Sequence, residues 1–468
     1  MMPSSRPNGS PSLVVGILAI VLLATALFAI RLAAPPDLRD NDQERPAAYA
    51  TDFLRNDHWV VQFDQTGDVM SKPPLSTWLT ALPALPFEKL NLFLLYLPSF
   101  LSVLAAALVI HAVGGRRLSP LAGFLGAILF LCSIVALKQV ALARTDPLFS
   151  VLVFVASLLA FRAWNEDRSW IPFWLVAAAA TLTKGPLGVV LALGGLLAFL
   201  TVRPIRNPLR GPHFAGILLF LGLTVGWFVA AYLVEGRIVA DKMIGRELVG
   251  HAVKTSRHGF EWDQLAKPSL YFLGRFAPWS LLAFAGVLLA FRRSSEDEDS
   301  STVRFRRFLA CSLLFGLLLF SLSSHQRPDH LFPLIPAAAL LAGDALARLI
   351  GLWPRKILRR AFAALVIVFL GSVAIWGFFL RPQAEAVQQT VALRRIAAEI
   401  RESYGPDFEP EFVQTYYTLQ FYLGTMRQEI QPENAADLCE KDPPLLIFTN
   451  DPASIEKHLR SWIKLHRL

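Results

Sequence analysis

The chain has 468 residues, of which 54 % are hydrophobic and 17 % charged, and its mean hydropathy is +0.46. That balance excludes an ordinary soluble globule and describes a polytopic membrane protein. The formal charge of +9 does not point to nucleic acid, because the basic residues stand in short clusters between apolar stretches, a pattern that membrane topology explains.

The first apolar stretch, 12 to 34, is longer than a signal-peptide core and has no small-residue cleavage signal before the polar interval, so it is expected to stay as a first membrane helix. The interval from Asp37 to Trp78 is the longest polar run between two strongly apolar segments. Ionisable groups held at the rim of a membrane bundle are usually functional, so an active site is expected there. Asp42 and Glu44 open an amphipathic run in which Ala47, Tyr49, Ala50, Phe53 and Leu54 alternate with Arg45, Asp52, Arg55 and Asp57, as in a helix lying in the membrane interface. The interval closes on Lys72-Pro73-Pro74-Leu75. Two prolines fix φ and deny the backbone a helix, which sets Lys72 on a stiff turn.

Further apolar stretches fall near 91 to 113, 119 to 137, 147 to 161, 170 to 182, 186 to 202, 213 to 234, 269 to 291, 308 to 322, 331 to 350 and 361 to 380. With the first they make about eleven spans, and regions 75 to 87 and 119 to 143 each have room for an extra or re-entrant helix. The expected fold class is therefore an all-α polytopic membrane protein of about 11 to 13 transmembrane helices.

The loops 114 to 117, 162 to 169, 203 to 210, 292 to 307 and 353 to 360 are mostly arginine-rich. The alternate set, 35 to 90, 138 to 146, 183 to 185, 235 to 268, 323 to 330 and the C-terminal tail, carries mixed charge and most of the histidines. The positive-inside rule puts the first set and the N-terminus in the cytoplasm and the second set outside it. The acidic run Glu296 to Asp299 reads as a solvated cytoplasmic loop. Beyond residue 381 a helical run, 384 to 403, is followed by aromatic and β-branched residues 412 to 424, a strand-like Pro444 to Asn450 and a closing helical pattern from 453. This predicts two domains: a transmembrane domain, 1 to 380, with a catalytic first outward loop at 35 to 90, and a small α/β extracytoplasmic domain, 381 to 468. The three cysteines, Cys132, Cys311 and Cys439, have no metal-ligand spacing, and two of them lie in apolar runs. Neither a disulfide framework nor a zinc site is expected.

The outward loops repeat one feature, a charged residue beside proline or glycine at a helix end. The cases are Arg144-Thr145-Asp146-Pro147, Thr183-Lys184-Gly185-Pro186, Arg246-Glu247 with His251, Arg257 and His258 beyond, and His325-Gln326-Arg327-Pro328-Asp329-His330. Any one of them alone reads as a snorkelling anchor. Four on one face suit a phosphate or diphosphate held at the membrane surface, with acids for general-base work or a divalent metal. Asp42 is the candidate base, a carboxylate able to take the proton of an acceptor hydroxyl or amine as it attacks a sugar C1; the alternative is a helix cap for the run from Pro46.

Taken together, DQERPAAY at 42 to 49, KPPL at 72 to 75, ARTDPLF at 143 to 149, LTKGP at 182 to 186 and HQRPDHLFPLIPAAALL at 325 to 341 resemble the bacterial aminoarabinose transferase and protein O-mannosyltransferase superfamily, membrane glycosyltransferases of the GT-C class. The resemblance covers roughly residues 12 to 380. It implies a polyprenyl-phosphate-linked sugar donor, a site on the periplasmic face of a bacterial inner membrane, inversion at the anomeric carbon, and a lipid, glycan or protein acceptor. It implies Asp42 as base or orienter and Lys72 as a contact of the donor phosphate. By the same matching, Glu44, Arg144, Asp146, Lys184, Arg246, Glu247 and Arg327 line the donor and acceptor sites. The aminoarabinose transferases carry Asp-Glu-Thr in the first loop and Glu-Lys-Pro at the turn, where this chain has Asp42-Gln43-Glu44 and Ser71-Lys72-Pro73. One metal ligand is thereby lost, and Asp42, Asp146, Glu247 and His251 remain as candidate ligands for a divalent metal.

The chemistry is coherent without the family. A lipid phosphate leaves readily when its developing charge is met, which Lys72, Arg327 and Lys184 can do, and no general acid is then required. Two competing readings are a transporter or lipid flippase, and a polysaccharide ligase using a diphosphate-linked donor. The first predicts internal repeats and more mid-span charges than Arg275, and the second predicts no Asp42 to Lys72 loop.

Overall fold

The computed structural model describes residues 13–39, 41–202, 207, 209–249, 262–292, 300–323, 326–350, 355–406, 408–435 and 447–451. In chain order the helices are α1 (Leu13–Ala33), α2 (Asn41–Arg55), α3 (Leu75–Ala81), α4 (Leu92–Arg117), α5 (Pro120–Leu131), α6 (Ile134–Gln139), α7 (Asp146–Glu166), α8 (Ile171–Lys184) and α9 (Leu187–Leu193). They continue with α10 (Phe214–Glu235), α11 (Trp262–Arg275), α12 (Trp279–Phe291), α13 (Ser300–Ser321), α14 (Ile335–Ile350), α15 (Arg355–Ile375), α16 (Glu385–Tyr404) and α17 (Tyr417–Leu423).

The architecture is that of an all-α, multi-pass membrane protein. Among the described residues six helices are long and apolar enough to cross a bilayer, seven if α11 and α12, bent by 115° at their junction, form one span. The eleven apolar stretches therefore do not all become full-length spans. The stretches near 119 to 137, 170 to 182 and 186 to 202 fold as shorter apolar helices, and α13 carries Arg304, Arg306 and Arg307 in its first half. The two regions with room for an extra helix both use it. Residues 75 to 87 form α3 and a following 3₁₀ segment, and the 119 to 143 region breaks at Cys132-Ser133, where the Ser133 hydroxyl accepts from the Ala136 amide and starts α6.

The chain divides into two compact units. The first comprises residues 1–33, 71–76 and 96–375. Its centre is the packing of α14 on α5 and α12, and small residues set how close the helices come. A Cβ at Gly343 would stand 2.5 Å from the Ala122 carbonyl oxygen and from the Gly126 nitrogen, so backbone meets backbone there, as small residues allow in membrane bundles.

The second unit comprises residues 34–70, 77–95 and 376–468. The first-loop interval and the C-terminal segment therefore share one packing unit. α2 buries Gln43, Glu44, Ala47, Ala48, Ala50, Thr51 and Phe53 and packs on α17, so its apolar side is covered by protein. β1 (Glu411–Val413) and β2 (Ile447–Thr449) pair in parallel, Phe412 opposite Phe448. Ala397 and Ile400 of α16 close a small core with Phe412, Leu419 and Leu423. The aromatic run 412 to 424 gives a strand only at its start. Gln414 takes a positive φ of 48° and ends the strand, and the following residues wind into α17. The closing helical pattern from 453, Cys439 and the acidic run at 296 to 299 lie outside the described residues.

Candidate functional site

In the first unit the site forms at the start of α7. Asp146 and Pro147 occupy its first two positions, where proline forfeits no helical bond and a carboxylate meets the positive end of the helix dipole. Asp167, left-handed at φ 54°, ends the helix, and the chain turns back as α8, which stops at Lys184 against Gly185 at φ 99°. Two antiparallel helices with a short connection bring the start of one beside the end of the other. Lys184 Nζ accordingly donates to Asp146 Oδ1, and it stands 5.9 Å from the Phe149 ring centroid.

A second ion pair lies two residues upstream. Arg144 Nη1 donates to Asp329 Oδ2 at 2.7 Å, and Lys138 Nζ, from the end of α6, donates to the same oxygen at 2.7 Å. The side chains of Arg144, Asp329 and Lys138 are 9 %, 14 % and 33 % exposed. Asp329 belongs to a 3₁₀ turn, Pro328–Leu334, that leads into α14. The Ser150 hydroxyl, one turn into α7, pins that turn by donating to the Phe332 carbonyl at 3.1 Å. Five charged groups, Lys138, Arg144, Asp146, Lys184 and Asp329, are thus gathered around one helix start. The sequence reading had Asp329 as one charge of the 325 to 330 cluster and Lys138 as the first residue of the outward loop 138 to 146, but it named neither among the residues that line the site.

The remaining candidates of this unit stand as follows. Lys72 is half-buried on its turn, with Pro73 and Pro74 buried. Arg327 is exposed immediately before the 328–334 turn. The backbone of Arg246 and Glu247 belongs to a π-helical stretch, Ala240–Val249, and His251, Arg257, His258 and His325 lie outside the described residues. Among the described residues no three His, Cys, Asp or Glu groups gather as a metal site.

The first-loop acids belong to the second unit and differ from each other. Asp42 is exposed in the first turn of α2; the helix begins at Asn41, so Asp42 lies inside it and does not cap a run from Pro46. Pro46 has no N–H to offer the Asp42 carbonyl. Glu44 is buried. Its Oε1 accepts from the Thr418 amide at 3.1 Å and hydroxyl at 2.6 Å, and its Oε2 faces Arg39 Nη1 at 3.4 Å. The Arg39 guanidinium in turn lies 3.2 Å from the Tyr416 ring centroid. Glu44 thus ties α2 to α17. Asp52, which the sequence reading had as a face-setting polar residue, is an organising group. It accepts from the Phe63 amide at 2.8 Å and the Asn56 amide group at 2.7 Å, and pairs with His58 Nδ1 at 2.9 Å, folding the chain back over the end of α2.

Comparison with known proteins adds the following. A family model described as dolichyl-phosphate-mannose-protein mannosyltransferase matches residues 71–229. A protein of Aquifex aeolicus, named only as uncharacterized, is 30 % identical over 344 residues, covering 73 % of this chain and 74 % of its own. Undecaprenyl phosphate-alpha-4-amino-4-deoxy-L-arabinose arabinosyl transferase 1 of Pseudomonas fluorescens is 24 % identical over 78 % of this chain and 66 % of that protein. The chain spans between about half and two thirds of the length of the first curated relatives it matches. The crystal structure of ArnT from Cupriavidus metallidurans bound to undecaprenyl phosphate superposes with a TM-score of 0.66 at 18 % identity, over 94 % of this chain and 89 % of that one. The fold is shared.

Proposed function

Because the chain belongs to the ArnT-like, GT-C class of membrane glycosyltransferases, we propose that it transfers a sugar from a polyprenyl-phosphate-linked donor to a lipid, glycan or protein acceptor at the periplasmic face of the inner membrane, with inversion. The observation that carries this reading is the gathering of Lys138, Arg144 and Lys184, with Asp146 and Asp329, around the start of α7. The relatives that name a donor name an undecaprenyl-phosphate sugar, and cations at the end of a membrane helix are what such a phosphate requires.

In this scheme the bond from C1 to the phosphate oxygen breaks as the acceptor oxygen or nitrogen attacks from the opposite face. Charge grows on the departing phosphate, where Lys72, Lys184, Arg144 and Arg327 stabilise it. Arg246 and Glu247 contact donor or acceptor. Asp42, the exposed acid of the first loop, takes the acceptor's proton. Glu44, with its oxygens on Thr418 and Arg39, holds the helix that presents Asp42. Asp146 keeps Lys184 aimed. The domain layout in this reading is a transmembrane donor-binding unit with a periplasmic unit built from the first loop and the C-terminal segment.

The test is a transfer assay in liposomes with a panel of polyprenyl-phosphate and polyprenyl-diphosphate sugars, with and without chelator. Wild type is expected to release polyprenyl phosphate, and Asp42→Ala to lose on the order of 10²- to 10⁴-fold in turnover. Unchanged turnover in a folded Asp42→Ala variant would remove Asp42 as base. Passage of intact lipid across the membrane without turnover would make the protein a flippase.

A further inference from the structure

Lys138 and Arg144 reach one carboxylate oxygen from two places in the chain: the end of α6 and the residues before α7. Each nitrogen is 2.7 Å from Asp329 Oδ2, so the two cationic heads are at most about 5.4 Å apart, twice that contact. Asp329 therefore sets their spacing, and the spacing suits two donors converging on two oxygens of one phosphate. A lysine ammonium has three N–H groups. One of Lys138's goes to Asp329, and the other two have no partner among the described residues, on a side chain one third exposed. Asp329 itself is held from behind, since the Ser150 hydroxyl fixes its turn through the Phe332 carbonyl.

Among the described residues the carboxylate is bound through one oxygen, Oδ2. Asp329 Oδ1 is buried without a hydrogen-bond partner among the described residues. A pair built for stability would use both oxygens, because a buried acceptor left unmade is a net cost to the fold. What the arrangement gains is two cations fixed side by side, with the lysine turned outward.

We propose that Lys138 and Arg144 form a phosphate clamp for a lipid-linked phosphate, and that Asp329 is the positioning residue that sets the clamp. Lys138 thus becomes a donor contact, and Asp329 acts through the two cations without touching the ligand. This rests on the transferase reading for the identity of the lipid, and the clamp itself is a statement about binding. A lipid-borne phosphate is favoured over a free one because Lys138 stands on a short apolar helix whose Ile134 is 49 % exposed, an open apolar side chain on the same helix as the lysine of the clamp.

The experiment measures binding to the full-length protein in lipid nanodiscs, separately from turnover. The probes are a short-chain polyprenyl phosphate, the matching polyprenyl alcohol, inorganic phosphate and phosphatidic acid. Lys138→Met is expected to weaken polyprenyl phosphate binding about tenfold or more and leave the alcohol unchanged, with Lys138→Arg restoring most of the affinity. Asp329→Asn gives the sharper sign. Removing a negative charge beside a bound anion tightens binding if the carboxylate merely repels, whereas loss of positioning weakens it. The clamp predicts weakening by about fivefold, with KM for the donor raised more than kcat is lowered. Unchanged affinity in Lys138→Met, or tighter binding in Asp329→Asn, would overturn the clamp even where wild type transfers sugar. Equal affinity for phosphatidic acid or inorganic phosphate would overturn its assignment to the polyprenyl lipid. A wild type that binds the lipid through an intact clamp and transfers nothing would sink the transferase reading and leave the clamp standing.

Discussion

Asp329 and Asp344 lie on one continuous helical stretch, fifteen residues apart, which is about 25 Å and most of a hydrocarbon layer. Each acid meets two cations, yet the two ends are built differently. At Asp344 the Arg306 guanidinium grips both oxygens, Nε to Oδ2 at 2.7 Å and Nη2 to Oδ1 at 3.3 Å, and both side chains are under one tenth exposed. Arg348, one turn along the same helix, adds a contact from the surface. At Asp329 both cations share one oxygen, the other oxygen has no partner among the described residues, and the lysine is open. Both ends hold one acid and two cations, two arginines at Asp344 and a lysine with an arginine at Asp329; which oxygens are used and what is left exposed separate an ion pair that locks two helices from one that, in the proposed clamp, presents charge to a ligand.

This contrast can be broken by substitution. Arg306→Met leaves Asp344 buried without its bidentate partner and is expected to cost about 3 to 5 kcal/mol, read as a large fall in thermal stability, with donor affinity per folded molecule unchanged. If stability holds and binding falls, the sealed end has been misread. Glu44 extends the comparison to the second unit, as a buried acid satisfied by hydroxyl and amide donors. Thr418→Val removes the hydroxyl donor and should destabilise that unit by about 1 to 3 kcal/mol, seen as faster hydrogen exchange in both α2 and α17. Faster exchange in α17 alone would show that Glu44 does not join them. The smallest effect belongs to Arg348→Met. Its side chain is 43 % exposed, and an exposed i,i+4 pair contributes about 0.5 kcal/mol or less, so the melting temperature should stay within a degree or two of wild type.

Much of the open end was legible in the sequence. Asp146 and Lys184 stand beside Pro147 and Gly185, and helix punctuation next to a charge marks a helix end at a rim. The antiparallel return that pairs them follows from two apolar runs with a short polar link. Lys138 was placed at the start of the outward loop 138 to 146, but it stands alone there, without the proline or glycine that marks the other charges, and nothing local names its partner. Asp329 was visible as one charge of the 325 to 330 cluster, but its partners are 185 and 191 residues away, and separations of that size leave no local trace. The same reason hides Glu44's bond to Thr418, 374 residues on. Loop acidity suggests a surface group, and only the fold shows Glu44 turned inward while Asp42, two residues before it, is exposed. The split of the run 412 to 424 into strand and helix turned on Gln414, whose positive φ no propensity favours.

The central claim is that the end of the first unit around Asp329 receives the donor phosphate while the end around Asp344 is structural. Photo-crosslinking in liposomes addresses it most directly, with a polyprenyl phosphate carrying a diazirine on the isoprene next to the phosphate and labelled peptides mapped by mass spectrometry. The account predicts labelling of peptides covering 134–146 and 326–334, lost in competition with unlabelled polyprenyl phosphate. Labelling confined to peptides covering 300–307 and 344–350 would contradict it.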